Sequence, residues 1–147
     1  MVLISHRGNI TGKNIDREND PEYIDEAISL GYDVEVDVWY FEHELYLGHD
    51  EPQYKINLEW LYKRFSNLWI HCKNLESIEF FRNLQDNPLH YFWHQVDHVT
   101  LTSKGHLWVY PGKQPIKNSI AVLPEKYDED VSGCYGVCSD VIENFKS

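Results

Sequence analysis

The chain has 147 residues, 42% hydrophobic and 14% aromatic, which suits one domain with a packed core and is too few for two ordinary ones. A formal charge of −11 and an isoelectric point near 5.0 exclude a general affinity for polyphosphates, so nucleic acid is not an expected partner and any anion site must be made cationic locally or by a metal. Cys72, Cys134 and Cys138 form neither a disulfide framework nor a zinc knuckle, no apolar run reaches the ~18 residues of a membrane span, and Met1 to Ser5 carries no basic leader; a cytoplasmic chain with reduced thiols is expected.

Val2 to Ser5 predicts a short buried strand, followed by the polar loop "HRGNITGKNIDREN". Asp20-Pro21 supplies a helix cap with proline at the first helical position. Ile24, Ala27 and Ile28 mark one face of that helix, and Gly31 stops it. The stretch "YDVEVDVWY" alternates strictly, with Val34, Val36 and Val38 on one side of a strand and Glu35 and Asp37 on the other. "HELYLGHD" reads as its return or extension. Asn57 caps a second helix with Leu58, Leu61, Tyr62 and Phe65 at helical spacing, and the strand "LWIHCK" and a third helix from about Leu75 to Leu84 follow. Beyond Pro88, "HYFWHQ", "HLWVYPG", "SIAVLPE" and "GVCSD" predict short strands with little room between them for helices.

Alternating strands and helices predict a parallel sheet with helices outside it, open or closed into a barrel, and function then gathers at the carboxyl ends of the strands. His6-Arg7-Gly8, Glu35/Asp37, His49/Asp50 and His71/Lys73 all fall at or near such ends. Each has an ordinary alternative. His-Arg-Gly is a common strand-end turn, Glu35 and Asp37 suit the wet face of a half-buried strand, His49-Asp50 suits a turn, and Lys73-Asn74 suits a helix cap. His94, His98 and His106 lie in a polar stretch without ligand-like spacing.

The succession "HRG", "EN", a helix ending in glycine, "EVDV" and "LGHD" resembles the glycerophosphodiester phosphodiesterase family. The likeness is clear from Ile4 to about Pro52, weaker as far as Lys73, and afterwards confined to Ser139-Asp140. It implies a TIM barrel, here a compact and truncated one with few helices in its second half, because such barrels typically take ~250 residues. It also implies hydrolysis of a small phosphodiester, as in lipid metabolism, with a divalent cation. Position by position, the resemblance makes His6 and His49 the acid/base pair, Arg7 and Lys73 phosphate ligands, Glu18 a carboxylate lining the substrate site, and Glu35 and Asp37 metal ligands.

Where the family usually carries a further glutamate ligand, two residues before the lysine, this chain has His71. Strand alternation places His71 beside Lys73 and makes it the third candidate ligand. Mg²⁺ or Ca²⁺ is the ion implied by the resemblance, whereas an imidazole suits Mn²⁺ or another transition ion. The altered ligand and the short chain leave a second class of function open, a non-catalytic module binding a phosphorylated ligand or a partner. Missing helices are expected to leave "HLWVY" and "IAVL" uncovered, which predicts either a homodimer or a chain end folded over them.

Overall fold

In the computed structural model, which describes residues 1–147, the elements follow in the order β1 (Val2–His6), α1 (Pro21–Ser29), β2 (Asp33–Phe41), β3 (Glu44–Leu47), β4 (Tyr54–Ile56), α2 (Leu58–Lys63), β5 (Leu68–Cys72), α3 (Leu75–Asn83), β6 (Tyr91–Phe92), β7 (Val99–Leu101), β8 (Leu107–Val109), β9 (Ile120–Val122) and β10 (Gly136–Ser139). Strands β6-β5-β2-β1-β10-β9-β8 each run parallel to their neighbours in that order. β2 is long enough to continue past its parallel partners, and β3 and β4 fold back antiparallel on that extension. β7 is likewise antiparallel to β8. No helix is long and apolar enough to cross a membrane.

The sheet curls into a half-barrel in a mixed α/β fold with few helices. β6 and β8 do not pair with each other. Across that gap the backbone N–H of Ser103 donates to Tyr91 O at 2.8 Å, and the Phe92 and Trp108 rings stand 4.6 Å apart.

Local sequence explains the helices. Asp20 accepts a hydrogen bond from the backbone of Glu22, Asn57 from Trp60 and Asn74 from Ser77, so each helix begins on a side-chain cap. Gly31, at φ +93°, turns the chain from α1 into β2. Ile24, Ala27, Leu61 and Phe81 then pack with Val34, Val36, Val38, Leu68 and Ile70 in a core of 14 buried residues on the outer side of the sheet. The opposite side chains of the same strands point into the curl. Ile4, Trp69, Phe92, Trp108, Ile120 and Cys138 fill its middle.

No α-helix follows α3; there are only 3-10 turns at Pro124–Lys126 and Ile142–Phe145. Even so, Trp108, Val109, Ile120, Ala121 and Val122 are buried within the single chain, contrary to the expected exposure of these strands. Over β10, the last turn does what a helix would do elsewhere, with Ile142 packing on Val137 and Tyr32 and Phe145 beside them. The apolar surface from which a homodimer is argued is therefore covered by the chain itself.

Candidate active site

The strand registers bring the acidic, basic and imidazole groups to one height on the inner face. His6 opposes Glu35 across β1 and β2, and Asp37 opposes His71 across β2 and β5. At the end of β1 the backbone turns sharply, with Arg7 at φ +59° and Gly8 at φ +97°. Any side chain at Gly8 would lie 2.5 Å from the Tyr23 ring, so only glycine fits. This turn aims Arg7 back over the site: Arg7 Nε stands 3.0 Å from Asp37 Oδ2, Nη1 is 3.3 Å from Glu18 Oε1, and Nη2 donates to His49 Nε2 at 3.3 Å. Burial disfavours the Arg7 charge, but Asp37, Glu35 and Glu18 outweigh it and raise the guanidinium's pKa.

His6 Nδ1 donates to Asp140 Oδ1 at 2.7 Å, since a carboxylate only accepts. That places a proton on Nδ1 and leaves Nε2 facing the site, 3.8 Å from Glu35 Oε1. Asp140 is itself held by Asn9, whose amide donates both to Asp140 Oδ1 at 2.9 Å and to Glu18 Oε2 at 2.7 Å. Glu18 thus has both oxygens engaged by protein donors. It holds Arg7 in place and lines the cavity.

Glu35 and Asp37 are 2% and 0% exposed, not the wet face that alternation alone suggests. Asn19 clamps Asp37, donating to Oδ2 at 2.9 Å and accepting from the Asp37 backbone at 3.0 Å. Burial pushes the Asp37 carboxyl up; the neighbouring His49 imidazole, the Arg7 charge, the nearby His71 ring and the Asn19 amide reverse this and hold it well below the usual range. Burial acts the same way on Asp140, where His6, Asn9 and Arg7 win and lower its pKa. Yet Glu35 Oε1 and Asp37 Oδ1 are buried with no hydrogen-bond partner. Two unpartnered carboxylate oxygens out of contact with water leave coordinating capacity that no protein donor uses.

His71 meets them. Its Nε2 lies 2.7 Å from the carbonyl oxygen of His94, which can only accept, so Nε2 carries the proton. Nδ1 faces Glu35 Oε2 at 3.5 Å and Asp37 Oδ1 at 3.4 Å. Glu35, Asp37 and His71 form the group able to hold a metal ion, with one ligand atom from each within 4.8 Å of the others. His49, more exposed, stands with Nδ1 3.6 Å from Asp37 Oδ2. Lys73 lines the same cavity, and its side chain forms no ion pair. The cavity, of about 700 Å³, is polar on the side of β1, β2 and β5 and is lined from the second half by Trp108, Tyr110, Val122 and Leu123, with Lys126 among them.

All eight residues singled out from the sequence, His6, Arg7, Glu18, Glu35, Asp37, His49, His71 and Lys73, come to this one region. Asp140, Asn9 and the anchoring role of Asn19 are additions. Of these, Asp140 has a trace in the sequence, the "SD" that ends the last strand. His94 lines the cavity, while His106 packs at the far end of the curl between Trp69 and Tyr135. No protein-family model, curated protein or solved structure matches the chain.

Proposed function

We propose that the chain is a metal-dependent phosphodiester hydrolase of the glycerophosphodiester phosphodiesterase type, on a trimmed (β/α) barrel. The observation that carries the reading is that two imidazoles flank the buried carboxylate pair, each beside a different member: His6 is 3.8 Å from Glu35 and His49 is 3.6 Å from Asp37. A protein that only binds phosphate needs the cations but not two matched proton carriers.

Glu35, Asp37 and His71 would hold the ion, which when bound neutralises charge on the non-bridging oxygens of a phosphodiester. Arg7 and Lys73 add positive charge on the same oxygens, and Glu18 and Asp37 keep the Arg7 fork oriented. His6, with its proton on Nδ1 and directed to Asp140, has Nε2 free to take a proton from the nucleophile, and Asp140 stabilises the imidazolium that forms. His49 gives a proton to the leaving alkoxide from Nε2, which requires Arg7 Nη2 to turn from Nε2 to the substrate phosphate. The nucleophile is water, or a neighbouring hydroxyl of the substrate, in which case the product is a cyclic phosphate. The apolar wall of Trp108, Tyr110, Val122 and Leu123 receives the alcohol groups.

The test is hydrolysis of bis(p-nitrophenyl) phosphate with a panel of divalent ions. His6→Ala and His49→Ala should each lower turnover by ~10² or more while leaving the circular dichroism spectrum intact. Binding of the diester without turnover under any ion would replace the enzyme by a phosphorylated-ligand module, the reading favoured by the altered third ligand His71.

A further inference from the structure

We infer that His71 is a nitrogen ligand whose presence tunes the site to a first-row transition dication of the Mn²⁺, Fe²⁺ and Zn²⁺ class, away from Mg²⁺ and Ca²⁺. The inference deepens the metal part of the proposed function and rests on that reading only for its biological use, not for its test.

Three observations bear on it. First, the carbonyl oxygen of His94 fixes the proton of His71 on Nε2, at 2.7 Å. A metal-bound histidine almost always donates its other N–H to a carbonyl or carboxylate in this way, which orients the ring and raises its basicity. Second, the lone pair of Nδ1 points at Asp37 Oδ1 and Glu35 Oε2, 3.4 and 3.5 Å away. A charge-assisted hydrogen bond from an imidazolium would close to ~2.7–2.9 Å. The observed separations instead leave room for one ion bound to both at ~2.0–2.2 Å. Third, Asp37 Oδ1 and Glu35 Oε1 are buried with no other partner, so the site has coordinating capacity that nothing in the protein uses.

The donor set is two carboxylates and one imidazole. Ca²⁺ takes 6–8 oxygen ligands and Mg²⁺ strongly prefers oxygen, whereas an imidazole nitrogen suits Mn, Fe and Zn. Compared with three carboxylates, this set also carries one negative charge less, which weakens the hard ions most.

The experiment uses the metal alone. Metal-free protein is titrated calorimetrically with Mn²⁺, Zn²⁺, Mg²⁺ and Ca²⁺, and the Mn²⁺-loaded protein, unlabelled and with ¹⁵N-histidine, is studied by pulsed electron paramagnetic resonance. The expected result is one site, an imidazole nitrogen coupled to Mn²⁺, and loss of that coupling in His71→Glu and His71→Gln but not in His49→Gln. His71→Glu should also lower the Mn²⁺/Mg²⁺ affinity ratio by ~10-fold or more, the scale on which even a ligand's outer partners act. A wild type without nitrogen coupling, a coupling that persists in both His71 variants, or an unchanged ratio in a His71→Glu protein that melts like wild type would each overturn the inference. The two readings fail separately. Nitrogen-coupled Mn²⁺ without diester hydrolysis sinks the enzyme and leaves the ligand, and hydrolysis without nitrogen coupling does the reverse.

Discussion

The strands backed by helices and the strands backed by turns contribute different things to the cavity. β2 and β5, whose outer faces lie on the 14-residue core built with α1, α2 and α3, present Glu35, Asp37 and His71 inward, with Lys73 just beyond β5; β1, backed like β10 by the last turn, adds His6. β8 and β9 present Trp108, Ile120 and Val122 inward, with Tyr110 just beyond β8. Behind β10 lies only a cluster of Tyr32, Val137 and Ile142. Charged groups must be held to a fraction of an ångström to cooperate, and a strand packed on both faces supplies that rigidity. An apolar wall tolerates looser support.

The largest expected effect tests this division directly. Glu35→Ala and Asp37→Ala should lower diester hydrolysis by ~10³ or more, on the scale of losing several kcal/mol of transition-state charge stabilisation, whereas Val122→Ala in the opposite wall should change kcat/KM by less than ~10-fold. Equal losses from both sides would erase the distinction. Next is Asp140→Asn, the carboxylate that the second half contributes. Turnover should fall by ~10- to 100-fold, as for the loss of an orienting partner, with divalent affinity measured by calorimetry unchanged. On stability, Phe81→Ala beneath β2 and β5 should cost about 3–5 kcal/mol in urea unfolding, and Ile142→Ala about 2 kcal/mol, the low end for such a change, because a short turn relaxes into the space.

The smallest effect is absent at neutral pH. Burial, with His106 and Lys104 nearby, pushes the His90 imidazole down to about 4. The unfolded chain, with a histidine of ordinary pKa ~6.5, binds the proton first, so folding stability should be flat above that pH and decline as pH falls from ~6.5 to about 4. His90→Phe should flatten that part of a stability profile measured by urea midpoints.

Much of this architecture is legible because β2 obeys a strict period of two. Val34, Val36 and Val38 fall on one face and Glu35 and Asp37 on the other, and the same rule sets His71 with Lys73. Asp20, Asn57 and Asn74 cap helices where their chemistry says they should. What alternation lacks is distance. The partnership of His6 with Asp140 spans 134 positions and depends on β1 pairing with β10, which no local pattern encodes. The burial of Glu35 and Asp37 was equally hidden, since a carboxylate on a polar face looks the same whether that face meets water or a curled sheet. Glu18 carries a different lesson: its neighbour Arg7 is visible, but Asn9, which claims the second oxygen, is one of many loop asparagines. The short strands β4 and β7 leave too few residues for periodicity to register.

The seam between β1 and β10, where Val2 to Ser5 register against Gly136 to Ser139, also governs timing during synthesis. As the ribosome delivers the chain, β1, β2 and β5 emerge first and bring both imidazoles and both carboxylates with them. β1 then waits with one edge bare until the chain from Lys73 to Gly136 has appeared, and such long-range pairing is intrinsically slow. During that interval His6 lacks the carboxylate that sets its tautomer. A nascent chain stalled before β10 therefore holds most of the site's groups in an unfinished order, and the His6–Asp140 pair forms only when the last strand docks.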